Sequence, residues 1–109
     1  MTNKLVTGQF IWNYVQDLHQ NGWEGIPYDA EEAILRHPKW ELVELLIEDL
    51  NYGRTHKPVV LEYAKMETDL PPIVVNADNW VLDGYHRAEA AKERGNKTIL
   101  AYVPIDILT

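Results

Sequence analysis

The chain has no cysteine. Disulfide staples, thiolate metal sites and cysteine nucleophiles are excluded with it. Basic charge is also scarce, with 10 Lys and Arg against 17 Asp and Glu and a formal net charge of -7. A protein that grips DNA or RNA nonspecifically draws most of its affinity from cations that neutralise phosphates. A large nucleic-acid footprint is therefore not expected, and DNA is not an expected partner, although a small local basic site is compatible with these totals. No run of about 18 apolar residues and no charged-then-apolar leader occurs, so neither a membrane span nor a signal peptide is expected. The default expectation is a cytoplasmic protein. Internal repeats and low-complexity stretches are absent as well.

What is present fits one core. The length of 109 residues suits a single domain, and 46% hydrophobic with 25% charged residues is ordinary for a globular chain. Phe10, Ile11, Tyr14, Val15 and Leu18 recur at helical spacing, which predicts an amphipathic helix over 9–20 with Gly22 as its stop. Residues 22–28 read as a loop. Asp29 is placed to cap a short helix over 30–36, with Glu32 in capping-box position, and His37-Pro38 ends it. Residues 40–50 fit two patterns. Val43, Leu45 and Ile47 alternate as in a strand, whereas Leu42, Leu45, Leu46 and Leu50 fit a helix. A polar loop follows over 51–57, then a helix over 58–68 with proline in its first turn. Pro71-Pro72 breaks the chain. Ile73-Val74-Val75 and Trp80-Val81-Leu82 read as a hairpin around the turn residues 76–79. A helix over 85–94, stopped by Gly95-Asn96, and a strand over 98–103 complete the pattern.

The segment richest in chemistry is Asp83-Gly84-Tyr85-His86-Arg87, where a strand turns into a helix. The first N–H groups of a helix lack partners inside it, and its dipole makes that end partly positive. Gly84 permits a tight turn and close approach of a ligand. Such a place suits a phosphate-like anion. His86 and Arg87 fall in the first turn, where the dipole disfavours a cation by roughly 0.3–1 kcal/mol, so a negative partner is expected. Arg87 could grip a phosphate through two parallel hydrogen bonds. Asp83 could cap the helix, hold Mg²⁺ or orient His86. The plainer alternative is structural: Arg87 pairs with Asp83 or Asp78, and His86 is an ordinary half-buried histidine. Ala88, Ala90 and Ala91 would let the helix sit close on a sheet.

Taken together, Pro72-Ile73-Val74-Val75, the run from Trp80 to Ala91, Gly95 and the closing strand resemble the ParB/sulfiredoxin-like superfamily. Its pattern is a strand ending in Gly-x-[His or Arg]-Arg before an alanine-rich helix, and Gly84, His86, Arg87, Ala90 and Ala91 fill those positions. The resemblance implies an α+β fold, a small mixed sheet with packed helices. It implies a core over 38–109, with residues 40–47 as the first core strand, and an N-terminal helical extension over 1–37.

It also implies a nucleotide site, with ATP or another NTP and Mg²⁺ as cofactors. Gly84, Tyr85, His86 and Arg87 would bind the nucleotide, Asp83 and His86 would be catalytic, and Asp83 would hold the metal. Sulfiredoxins place a cysteine where this chain has Tyr85, so sulfinic acid reduction is excluded. ParB proteins bind and hydrolyse CTP and carry a helix-turn-helix domain after the nucleotide domain, which is not expected in a chain ending at Thr109. Free-serine kinases carry Asp-Gly-His-His-Arg, one position away from this sequence, with a glutamate from earlier in the chain as base. Glu41, Glu44 and Glu48 are the candidates for that base. The expected function is nucleotide or phosphate binding with phosphoryl transfer or NTP hydrolysis. The partner would be a nucleotide or a phosphorylated small molecule. The alternative is a non-catalytic regulatory or protein-interaction module of the same fold.

Elsewhere, His19, His37, His56 and His86 form no metal-ligand spacing. Trp12, Trp23, Trp40 and Trp80 are expected in the core. Glu41, Glu44, Glu48 and Asp49 are expected on a solvated face.

Overall fold

A computed structural model of the chain describes residues 4–23 and 29–105. Strand β1 (Leu5–Thr7) leads into helix α1 (Gly8–Gln20), followed by α2 (Ala30–Leu35), β2 (Lys39–Leu46) and a short 3₁₀ turn (Ile47–Asp49). Then come α3 (Lys57–Ala64), the hairpin β3 (Ile73–Val75) and β4 (Val81–Asp83), α4 (Tyr85–Glu93) and β5 (Thr98–Pro104). The strands form one mixed sheet in the order β1-β2-β5-β3-β4. All pairings are antiparallel except β3 with β5, which is parallel and bridged by β4 and α4. This is the α+β architecture expected from the sequence.

The two faces of the sheet are read directly from strand alternation. In β3, Ile73 and Val75 face one core with Ala88 and Ala91 of α4, while Val74 faces the other with Ile11 and Val15 of α1 and Ile34 of α2. The sheet is thus covered on both sides, and β3, the strand its β-branched run predicted, is buried throughout. Ala88 and Ala91 lie against the sheet, and Ala90 packs with Val60 and Tyr63 of α3. Small side chains on adjoining faces of α4 let it approach both neighbours.

Local chemistry explains several boundaries. The Thr7 hydroxyl accepts from the Phe10 N–H at 3.0 Å and starts α1. In the hairpin turn, Asn76 Oδ1 accepts from the N–H groups of Asp78 and Trp80, and Asn79 takes the left-handed conformation that asparagine tolerates.

Some expectations are corrected. The N-terminal segment is not wholly helical, because Leu5–Thr7 pairs with Lys39–Glu41 at the sheet edge. The Asp29 side chain makes no capping bond to α2. The strand that the resemblance implied over 40–47 is found at Lys39–Leu46, with β5 pairing along residues 40–46. Helix α3 ends at Ala64 rather than at Thr68. Of the four tryptophans only Trp40 is fully buried, and Trp80, just before β4, is 52% exposed. The loop expected over 22–28 lies outside the described residues from 24 onward.

Candidate functional site

Strand β4 delivers Asp83 and Gly84 to the start of α4, and the first turn of that helix carries Tyr85, His86 and Arg87. Gly84 is the N-cap, with φ of 101°, in the left-handed region. It has no side chain to close on the first N–H groups, and α4 has no acid in its first turn.

Arg87 is fully buried. Its Nε donates to the Pro71 carbonyl at 3.1 Å, and its Nη2 donates to the Pro72 carbonyl at 2.9 Å and to Asp83 Oδ2 at 3.1 Å. The guanidinium also lies 5.8 Å from the Trp23 ring centroid. Prolines offer carbonyls but no N–H, so the Pro71-Pro72 entry to β3 needs an outside donor, and Arg87 supplies it. The Tyr14 hydroxyl from α1 donates to the same Pro72 carbonyl. Arg87 therefore ties α4 to the entry of β3. Burial pushes the Asp83 carboxyl up, and the Arg87 guanidinium works against that rise.

His86 is also buried, and its Nε2 accepts from the backbone N–H of His56 at 2.9 Å. A ring nitrogen that accepts carries no proton, so His86 is neutral with its proton on Nδ1. Burial lowers its pKa below the ordinary 6.5, and nearby His56 adds to that. With the folded pKa depressed, the unfolded chain binds more protons as the medium acidifies. Stability is thus fully present above about pH 6.5 and is lost as pH falls toward the lower folded value. Urea midpoints from about pH 8 to about pH 5 should fall for the wild type and fall less for His86→Gln. Parallel curves would remove His86 from this account.

The His56–His86 bond also fixes how the helices lie. His56 caps the start of α3 and meets the first turn of α4. At the other end, Arg94 donates to the carbonyls of Tyr63, Ala64, Met66 and Thr68, where α3 ends. Helices α3 and α4 therefore run parallel, with both positive dipole ends at one place. Arg94 sits two turns beyond Arg87 on the same side of α4 and closes the α3 carbonyls. Neither α3 nor α4 has an acid in its first turn, and Asp83, just before the α4 N-cap, is taken up by Arg87. Instead the approach to α3 carries Arg54, His56 and Lys57, all exposed.

These three residues were missed as site candidates. The signal was readable, since no Asp or Glu occurs from Leu50 to Leu61 in a chain with 17 acids.

Other candidates are not brought together. Glu44 and Glu48 line two surface cavities at the far end of α4, beside Arg94 and Lys92 respectively, roughly 13 Å of helix away from the site. Glu41 lies on β2 opposite Leu5 and Val103. Among the described residues no three His, Asp or Glu side chains form a group suited to a metal. Asp83 is buried with one oxygen on Arg87, so this donor set does not fit a protein-held Mg²⁺.

No family model matches the chain, and no curated protein matches it. Two solved structures of a pNOB8-like ParB N-domain are similar to it. One is 22% identical with a TM-score of 0.44, covering 59% of this chain and 29% of that one. The other is 27% identical with a TM-score of 0.43, covering 62% of this chain and 28% of that one. The chain thus spans under a third of the length of either. No helix among the described residues is long and apolar enough to cross a membrane.

Proposed function

We propose that this chain binds a phosphate-bearing ligand, a nucleotide or a phosphorylated small molecule, where α3 and α4 begin, and that it acts as a binding module rather than a phosphotransferase. One observation carries the reading. Two parallel helices bring their positive ends together at the His56–His86 bond, and exposed cations stand there in place of acids. Each helix end favours an anion by about 0.3–1 kcal/mol. The backbone N–H groups that suit phosphate oxygens come from the start of α4. At α3 the His56 N–H is on His86, Pro58 has none, and Val59 and Val60 bond the His56 carbonyl. Gly84 leaves its end of α4 uncapped by a side chain. Arg54 and Lys57 would supply the charge that was first expected of Arg87.

The case for a module over an enzyme rests on the two groups expected to be catalytic. Phosphoryl transfer needs a group that positions or deprotonates the nucleophile. Asp83 is held by Arg87, and His86 Nε2 by the His56 N–H. Both are spent on the fold.

Thermal unfolding with inorganic phosphate, ATP, CTP and GTP tests the reading. A ligand at about 100 times its dissociation constant should add roughly 2.7 kcal/mol, a rise on the order of 10 °C for a domain this size. The rise should vanish in Arg54→Glu/Lys57→Glu, whose exposed positions leave the fold alone, and the nucleotide should remain intact after long incubation. No rise with any ligand, or an equal rise in the double variant, would overturn the site. Steady nucleotide consumption would overturn the module.

A further inference from the structure

A second site lies at the opposite end of α4 and stands independently of the phosphate reading. A cavity of about 480 Å³ opens between the end of β2, the 3₁₀ turn and the end of α4. Small-molecule sites fall in a range of about 300–1,000 Å³ and are mostly apolar with a few placed polar groups. Leu46, Ile47 and Leu50 give this cavity an apolar wall. The ring of Tyr52 adds to it, fixed by its hydroxyl, which donates to Glu89 Oε1 at 2.7 Å. Lys92, Asn96 and Lys97 form the polar side. The Ile47 N–H donates to the Lys97 carbonyl at 2.9 Å, which fixes the backbone of Lys97 to the apolar wall.

The charge is what makes the cavity unusual. Its lining has two lysines against the single carboxylate of Glu48, in a chain where acids outnumber Lys and Arg by 17 to 10. The negative end of the α4 dipole would ordinarily repel an anion here. Its last carbonyls are closed, however: Ala90 accepts from the Arg94 N–H, Ala91 from Asn96 and Lys92 from Gly95. Lys92 alone could be read as a counter-charge to that dipole. Lys97 lies beyond the helix on the way into β5, so the dipole does not account for it.

We propose that this cavity binds a small amphipathic organic acid, its hydrocarbon against Leu46, Ile47 and Leu50 and its carboxylate between Lys92 and Lys97. The test is an amide chemical-shift titration of the full chain with octanoate, octylammonium and inorganic phosphate. Octanoate should saturate shifts in residues 46–52 and 92–97, and octylammonium and phosphate should not. The variant Lys92→Glu/Lys97→Glu changes only exposed side chains. It should weaken octanoate by about tenfold or more, since charge-assisted hydrogen bonds are lost. No saturable shift with octanoate, equal binding of octylammonium, or unchanged affinity in the double variant would each overturn the proposal. Phosphate shifts confined to residues 54–57 and 84–87 would report on the other site alone, and phosphate shifts in the cavity would overturn the requirement for an apolar body.

Discussion

Arg87→Met should cost the fold about 3–5 kcal/mol. Removing one partner of a buried ion pair leaves the other charged or forces it to neutralise without its partner. Both partners here are buried, with side-chain exposures of 0% for Arg87 and 2% for Asp83. The Pro71 carbonyl loses its guanidinium donor at the same time, while the Pro72 carbonyl keeps the Tyr14 hydroxyl, and a buried acceptor left unsatisfied costs about 1–3 kcal/mol. Methionine fills much of the same volume, so the loss reports the polar contacts more than a cavity. A domain of ordinary stability has about 5–15 kcal/mol in hand, so the midpoint of thermal unfolding should drop on the order of 20 °C. Adding Asp83→Leu should return a large part of the loss, because removing both charges leaves none buried alone. Urea unfolding of the two single variants and the double variant measures this coupling. A loss under about 1 kcal/mol for Arg87→Met, combined with loss of phosphate binding, would turn Arg87 outward again and restore the role first expected of it.

The pair shows where the sequence stops being readable. Asp83 and Arg87 are four apart at a helix start, so their pairing was a visible option beside phosphate binding. What decides between the two lies elsewhere in the chain. The Pro71-Pro72 carbonyls come against Arg87 only after the hairpin has folded back. The same holds for His86, whose partner His56 reaches it from another helix.

Elements governed by local chemistry were legible: the β-branched β3, the Asn76–Asn79 turn, and α4 with its alanines. Elements governed by partners were not. Three residues such as Leu5–Thr7 carry too little pattern to mark a strand, and it is the edge of β2 that makes them one. The leucines of residues 42–46 satisfied helix and strand patterns alike, so that only the family resemblance chose strand, and it is pairing with β5 that physically fixes it. Helix α3 was read too long because Arg94 takes the Tyr63 and Ala64 carbonyls, which a longer helix would have used internally.

Gly84→Ala should cost the fold about 2–5 kcal/mol. Two separate costs add. An L-residue held in the left-handed region loses roughly 1–2 kcal/mol, and φ of 101° lies well to the side of the best left-handed values. The new Cβ would also stand 2.6 Å from Ile73 Cγ2 and 2.8 Å from Arg87 Nη2. Overpacking a tight core costs typically about 1–3 kcal/mol. Neither neighbour can yield freely, since Ile73 is fully buried and Arg87 is held by three acceptors. Gly22 separates the two costs. Its φ of 90° is nearly the same, but a Cβ there would meet nothing within 4 Å, so Gly22→Ala should lose only the backbone share of about 1–2 kcal/mol. Denaturant midpoints of the two variants give the difference directly. Equal losses would mean that the Ile73–Arg87 wall relaxes around the methyl group. The α4 start would then be a soft turn, and the proposed anion site would lack the rigid backbone it requires.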